Sequence, residues 1–294
     1  MIRILSLGAG VQSSTLALMY ATGDPRLGGQ MVDAAIFADT QQEPAHVYAW
    51  LDWLETQLPF PVYRVTRGDL AEYATRIVTA RKGHKYVLNG LPMKMAYEGG
   101  TAIGNRGCTT HFKVMPLRRR VLELVGGAAA VRAWRKGDRG TPLVELLIGI
   151  SADEWGRAKP SRDPWSLHRH PLLEVGMTRA GCLQWMQEHD YPMPAKSACT
   201  FCPFHSDETW QDMKDNDPQS WASAVEFERK MHIATATAAA YNLTVASTDA
   251  GTPPVYLHSQ LVPLDQVVLR PKHRGDQFGL WDSMTEECEG MCGV

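Results

Sequence analysis

The sequence predicts an α/β protein with a parallel sheet, helices on both faces, and a helical, cysteine-bearing C-terminal part. Three observations predict it. Short apolar runs alternate with helical stretches from Ile2 to about Ala80, the β-α-β-α-β-α rhythm of a parallel sheet. The first apolar run opens into a loop of small residues, Gly8-Ala9-Gly10-Val11-Gln12-Ser13-Ser14, followed by a helix. The most strongly apolar run, Leu143 to Ile150, ends directly in a charged cluster, Asp153-Glu154-Trp155-Gly156-Arg157. Together these describe a Rossmann-like sheet whose strand ends face a ligand crevice.

Each element follows from its residues. Ile2–Leu7 reads as a buried strand and Thr15–Tyr20 as an apolar helix. Strand, small-residue loop and helix together hold an anion, because free N–H groups at the helix start point at phosphate. Ser6, Gly8, Ala9, Gly10, Gln12, Ser13 and Ser14 are therefore candidate nucleotide contacts. The loop is neither a G-x-G-x-x-G fingerprint nor a Walker loop. Ala34–Ala38 is a second strand, and it delivers Asp39 to the carboxyl edge, where a carboxylate can meet a ribose or a metal. A helix from Pro44 to Leu58 buries Trp50, Leu51, Trp53 and Leu54. Val62–Val65 is a third strand, and Asp69 caps a helix running to about Ala80.

Arg81 to Gly107 is expected to be a long loop or short insertion, and Gly126 to Gly140 a polar excursion. Cys108 opens a helix carrying Lys113 and Pro116, where a helix N-terminus lowers a thiol's pKa. Asp153, Glu154, Arg157 and Lys159 follow the strongest strand and are candidates for metal or phosphate contacts; Asp153 serves equally well as a helix cap. A helix is expected from Thr178 to about His189, with Cys182 in its core face beside Leu183, Trp185 and Met186. Asp207 is the expected cap of the next helix. Another begins at Pro218, with Trp221, Val225 and Phe227 inward and Glu226, Glu228, Arg229 and Lys230 mostly outward. A soft boundary near residue 170 divides a nucleotide-binding α/β domain, 1–170, from a helical region with a mobile tail, 171–294.

Composition excludes several classes. The 294 residues are 44% hydrophobic and 21% charged with a net charge of −2, which suits a soluble globular protein with a full core and implies no general pull toward nucleic acid or membrane. No apolar run approaches a membrane span, and no signal peptide is recognisable, so a cytoplasmic location is expected. From Arg64 to Arg120 there are 12 Lys/Arg against 3 Asp/Glu, a surface for a phosphate-rich ligand or simply a solvated face. Six cysteines in this length do not make a disulfide scaffold.

The cysteines concentrate the chemistry. Cys199-Thr200-Phe201-Cys202 is a C-x-x-C beside Pro203, Phe204 and His205. That spacing serves a metal, an iron–sulfur cluster or a redox dithiol. Cys108, about ninety residues earlier, is the candidate third ligand. A Cys₃His zinc site completed by His205, in a non-catalytic nucleic-acid-binding module, is an open alternative.

Taken together, Ser6–Ser14, Phe37-Ala38-Asp39-Thr40, Gly149-Ile150-Ser151-Ala152-Asp153-Glu154 and Cys108/Cys199/Cys202 resemble the adenine nucleotide alpha-hydrolase (PP-loop) superfamily. The similar branch is that of the PAPS and APS reductases, near the sulfurtransferases of DNA phosphorothioation. The resemblance implies an adenine nucleotide alpha-hydrolase-like fold and ATP, or APS/PAPS, at the first loop, with Mg²⁺ as a candidate ion. Gln12 stands where the superfamily carries an acidic residue, and Gly107 where cluster-bearing reductases carry a second adjacent cysteine. The resemblance therefore implies a 4Fe-4S cluster on Cys108, Cys199 and Cys202, with a fourth ligand absent or drawn from Cys288, Cys292 or His205. The reductases end in a Glu-Cys-Gly tail; Glu287-Cys288-Glu289-Gly290 resembles it, making Cys288 and Cys292 candidate nucleophiles served by Arg157 and Lys113.

The implied activities are an ATP-dependent (adenylating) sulfurtransferase, with DNA or RNA as acceptor and a donor such as a cysteine desulfurase, or a PAPS/APS reductase releasing sulfite. A homodimer is common among α/β enzymes of this size.

Overall fold

The computed structural model describes residues 1–97, 100–137, 140–195, 197–244 and 254–270. The candidate nucleophiles Cys288 and Cys292, and the tail around them, lie outside the described residues.

The chain runs β1 (Ile2–Leu7), α1 (Val11–Thr22), β2 (Ala34–Asp39), α2 (Ala45–Gln57), β3 (Val62–Thr66) and α3 (Leu70–Thr75). Two small hairpins follow, β4 (Ile77–Thr79) with β5 (Lys85–Val87) and β6 (Lys94–Tyr97) with β7 (Gly100–Ile103). A π-helical turn, Thr109–Val114, leads into α4 (Met115–Leu124), α5 (Gly127–Lys136) and β8 (Val144–Ile148). A 3₁₀ turn at Ala152–Arg157 precedes β9 (Ser166–Arg169), α6 (Pro171–Glu174) and α7 (Arg179–Glu188). The described chain closes with α8 (Asp207–Asn216), α9 (Pro218–Thr244) and β10 (Val255–Tyr256), which pairs with β6.

The central sheet has the order β3-β2-β1-β8-β9, and every pair is parallel. Its strands are near-continuous apolar runs because both faces are covered. Successive residues point to opposite faces. Leu5, Leu7, Ala35, Phe37 and Leu147 meet α1, α2 and α7 on one side. Ile4, Ile36, Leu146 and Ile148 meet Leu117, Val121 and Val131 of α4 and α5 on the other. α1 is buried from Val11 through Tyr20, so it has no solvated stripe. It stops at Gly23, whose left-handed backbone (φ 69°) lets its N–H reach the Met19 and Tyr20 carbonyls. A further core gathers α3, α8 and α9 around Phe112, Phe201, Trp210 and Phe227.

Chain order reverses between β1 and β8, so the crevice beyond their carboxyl ends is the sheet's switch point. The loop after β1 and the 3₁₀ turn after β8 meet there.

Several local expectations are corrected. α3 ends at Thr75 instead of near Ala80, because β4 begins at Ile77 and pairs with β5. Of the two alternatives for 81–107, a long loop or a short insertion, the structure has the insertion, with strands β5, β6 and β7. The supposed polar excursion holds α5, whose Val131 supplies the apolar contact. β9 adds an edge strand whose half-exposed residues gave no periodic signal. Ser206, not Asp207, caps α8 by accepting the Thr209 N–H; Asp207 pairs with His258 at 2.9 Å. Glu228 faces inward, 2% exposed, and accepts the backbone N–H groups of Leu257 and Leu264 at 2.7 and 2.5 Å.

Candidate active site

The loop after β1 is held by its own residues. Ser13 Oγ accepts the Gly8 N–H at 3.1 Å and donates to the Gly10 carbonyl at 3.4 Å. Ala9 adopts φ +57°, a conformation that side chains other than glycine's rarely take. Gly10 is extended and carries no side-chain cap, so the first N–H groups of α1 keep the orientation an anion site uses. Ser14 is fully buried and accepts the Trp50 indole N–H at 3.0 Å, placing it in the packing beneath the loop. Ser6 is also buried, within β1.

Gly149 explains how closely the second wall approaches. A Cβ there would stand 2.9 Å from Ser13 Cα and 3.0 Å from Ser13 N, distances a side chain cannot occupy. Glycine is therefore the residue that lets the end of β8 lie against the start of α1. Two residues on, Ser151 is fully buried and its hydroxyl has no hydrogen-bond partner among the described residues. An orphaned hydroxyl at a strand's carboxyl edge calls for a ligand or ordered water.

The acidic candidates already hold specific contacts. Gln12 is buried and donates its amide to Glu154 at 3.3 Å, and Glu154 pairs with Arg157. Asp153 is exposed and accepts the Arg179 N–H at 3.0 Å, tying the 3₁₀ turn to α7. Asp39 accepts from the Gln41 N–H at 2.7 Å and the Tyr48 hydroxyl at 2.8 Å. Burial, reinforced by the Asp39 hydrogen bond, pushes the Tyr48 phenol upward, so it remains a donor.

Beside this crevice the chain brings Cys108, Cys199 and Cys202 to the walls of one cavity. The other walls include Thr40 at the end of β2, Lys113, Arg106, Phe201 and Phe204. The space is about 440 Å³ with its open mouth, but its free volume is only about 30 Å³, close to one water. The segments come from three places. The C-x-x-C is pinned by the Thr200 N–H donating to the Gln42 carbonyl at 2.8 Å, and His205 Nε2 lies 2.9 Å from the Cys199 carbonyl. The π-helical turn positions Cys108 and Lys113; its wider coil suits Pro116, which lacks the N–H an α-helix would send to Phe112. Thr40 Oγ1 lies 3.2 Å from Cys199 Sγ and joins the cysteine cavity to the strand edge.

Glu43, absent from any sequence pattern, is the buried centre of this wall. It lies 3.8 Å from Cys199 Sγ, 3.8 Å from Lys113 Nζ and 3.4 Å from Ser197 Oγ. Burial pushes the Cys199 thiol well up, and the Glu43 charge adds to this, while Lys113 acts in the opposite sense.

Gly107 packs closely against Gly90, so a side chain at 107 would press on that turn. A Cβ at 107 would stand 3.1 Å from the Gly90 carbonyl oxygen and 3.3 Å from Gly90 Cα. The next N–H, that of Cys108, donates to that same oxygen at 2.7 Å.

Three soft thiols, two phenylalanines and two nearby cations are the kind of donor set an iron–sulfur cluster takes, but as they stand the three cysteines do not form a metal-holding group. The free volume is too small for a cluster, so Cys108, Cys199 and Cys202 would hold one only with their three segments spread apart. Among the described residues no group of three Cys, His, Asp or Glu side chains is disposed to hold one metal ion. No helix among the described residues is long and apolar enough to cross a membrane.

The sequence matches no protein-family profile and no curated protein. Among solved structures, the fold is similar to a phosphoadenylyl-sulfate (PAPS) reductase from Candida auris in its phosphate complex. Identity is 13%, the TM-score is 0.33, and the match covers 66% of this chain and 75% of that one. A likeness of this depth carries no residue-by-residue correspondence.

Proposed function

We propose that the protein is an ATP-dependent, adenylating sulfurtransferase that uses an iron–sulfur cluster to thiolate a nucleic acid or nucleotide. The observation that carries this reading is the convergence of Cys108, Cys199 and Cys202 on one cavity whose wall, Thr40, ends a strand at the nucleotide crevice.

The residues divide the work. The N–H groups of the 8–13 loop receive phosphate, and the glycine contact at 149 holds that loop in register. The acceptor oxygen bonds to the α-phosphorus and pyrophosphate leaves; a sulfur nucleophile then displaces AMP. Cys108, Cys199 and Cys202 would hold the cluster, with Lys113 and Arg106 balancing its charge. When bound, a cluster with three protein thiolates supplies a coordination position for the sulfur to be transferred.

A second reading is a PAPS/APS reductase, in which Cys288 or Cys292 attacks the sulfur of a bound sulfonucleotide. One arrangement favours it. Gln12 replaces a carboxylate and Glu154 is engaged with Arg157, leaving the loop without an uncommitted Mg²⁺ ligand.

The test is anaerobic purification with iron and sulfide assays and a visible spectrum, then incubation with ATP, APS or PAPS. Absorption near 400 nm, on the order expected for iron–sulfur charge transfer, should fall in Cys108→Ser, Cys199→Ser and Cys202→Ser. Pyrophosphate release from ATP supports sulfur transfer; sulfite release without ATP overturns it in favour of the reductase.

A further inference from the structure

A second cavity, of about 280 Å³, lies between the loop after β2 and the start of α9. Gln41, Gln42, Glu43, Tyr48, Thr200 and Asp217 form its polar walls, and Ser223 of α9 stands at its rim. None of the 8–14 loop contributes to it, so it is separate from the phosphate crevice. Glu43 and Thr200 tie it to the cysteine cavity, since Glu43 contacts Cys199 Sγ and Thr200 follows Cys199 in the chain.

Two features give its chemistry. Thr200 lines the cavity, 6% exposed, and its buried hydroxyl has no hydrogen-bond partner among the described residues, a group that ordered water or a ligand entering beside it would satisfy. Among the described residues the walls carry the carboxylates of Glu43 and Asp217 and the amides of Gln41, Gln42 and Gln219, but no lysine or arginine. The amide nitrogens of Gln41 and Gln42 are directed at Thr66 and Asp69, at 3.4 and 2.8 Å. What remains is rich in acceptors and hydroxyls, which repels phosphate and suits an uncharged ligand bearing N–H and O–H donors. The volume matches a nucleoside-sized group.

We propose that this cavity binds an uncharged nucleoside, and, resting on the sulfur-transfer reading, that it holds the base and sugar of the acceptor beside the cysteines. The probes are adenosine, cytidine, guanosine and uridine, titrated by calorimetry into the full-length protein without ATP or added iron; inorganic phosphate is the contrast. At least one nucleoside should bind saturably, and phosphate should not compete. Thr200→Val should weaken it about five- to tenfold, the value of one hydrogen bond, without lowering Tm, because an orphaned hydroxyl is removed. Ser223→Leu should weaken it by filling the rim.

Absence of saturable binding by any of the four overturns the proposal, as does binding that survives both variants. Loss in Gly149→Ala but not in Thr200→Val overturns it too, by assigning the nucleoside to the crevice. Failure of iron loading or of pyrophosphate release bears on the sulfur-transfer reading alone, since this titration uses neither.

Discussion

Replacing Gly149 by alanine perturbs the narrowest point of the candidate crevice with one methyl group. The new Cβ would lie 2.9 Å from Ser13 Cα, 3.0 Å from Ser13 N and 3.2 Å from the Gln12 carbonyl carbon, where ordinary contact begins at 3.4 Å. The gap must open by about 0.5 Å, and all three atoms are backbone of a helix buried on every side, so no rotamer change relieves it. Overpacking of this kind costs about 1–3 kcal/mol. At about 2–4 °C per kcal/mol for a large domain, Tm should fall by roughly 2–12 °C. The same displacement moves the N–H groups at the start of α1, so on the proposed reading ATP affinity should drop about tenfold, the value of about one hydrogen bond. Differential scanning fluorimetry and nucleotide titration read the two effects. Gly156→Ala is the control, since nothing lies within 4 Å of its Cβ; its effect should stay within about 0.5 kcal/mol. An unchanged Tm and unchanged ATP affinity in Gly149→Ala would refute the close approach of β8 to α1.

Gly107→Cys should destabilise the fold by about 1 kcal/mol or more, by pressing on the Gly90 turn, and should not raise the iron content of purified protein; a stoichiometric gain in iron would contradict this. Burial pushes the Glu228 carboxyl up, against two backbone N–H donors that lower it. The folded protein thus binds this proton more tightly than the unfolded chain, and the stabilisation present below the ordinary value near 4.5 is lost as pH rises through the folded value. Urea titrations across pH should show a flatter profile for Glu228→Gln in that window. The Arg26 guanidinium holds Asp24 at about 2, so its contribution persists above pH 3.8 and disappears as pH falls through about 2. Asp24→Ala also strands the Trp185 indole N–H, now donated at 2.9 Å, and should cost about 1–3 kcal/mol by denaturant unfolding.

How much was legible in the sequence depends on the range of each interaction. Apolar runs state their own period, so Ile2–Leu7, Ala34–Asp39, Val62–Thr66 and Val144–Ile148 were readable as strands of a parallel sheet. The hairpins within 77–103 and the edge strand Ser166–Arg169 were not, because short half-exposed strands carry little periodic signal. Glu228 defeated the helical pattern for another reason. Its inward turn is stabilised by two N–H donors about thirty residues downstream, which no local window contains.

By itself, the order of residues determined the layered α/β architecture, the small-residue loop before α1 and the C-x-x-C with its distant third cysteine. Only tertiary structure decided which groups face one another. It brought the buried Glu43–Lys113 pair beside Cys199, made Gly149 the contact between two distant elements, and pressed Gly107 against Gly90. It also opened a polar cavity on the far side of Thr200. Periodicity is a property of neighbours along the chain, whereas desolvation and close approach arise between segments that meet only when packed.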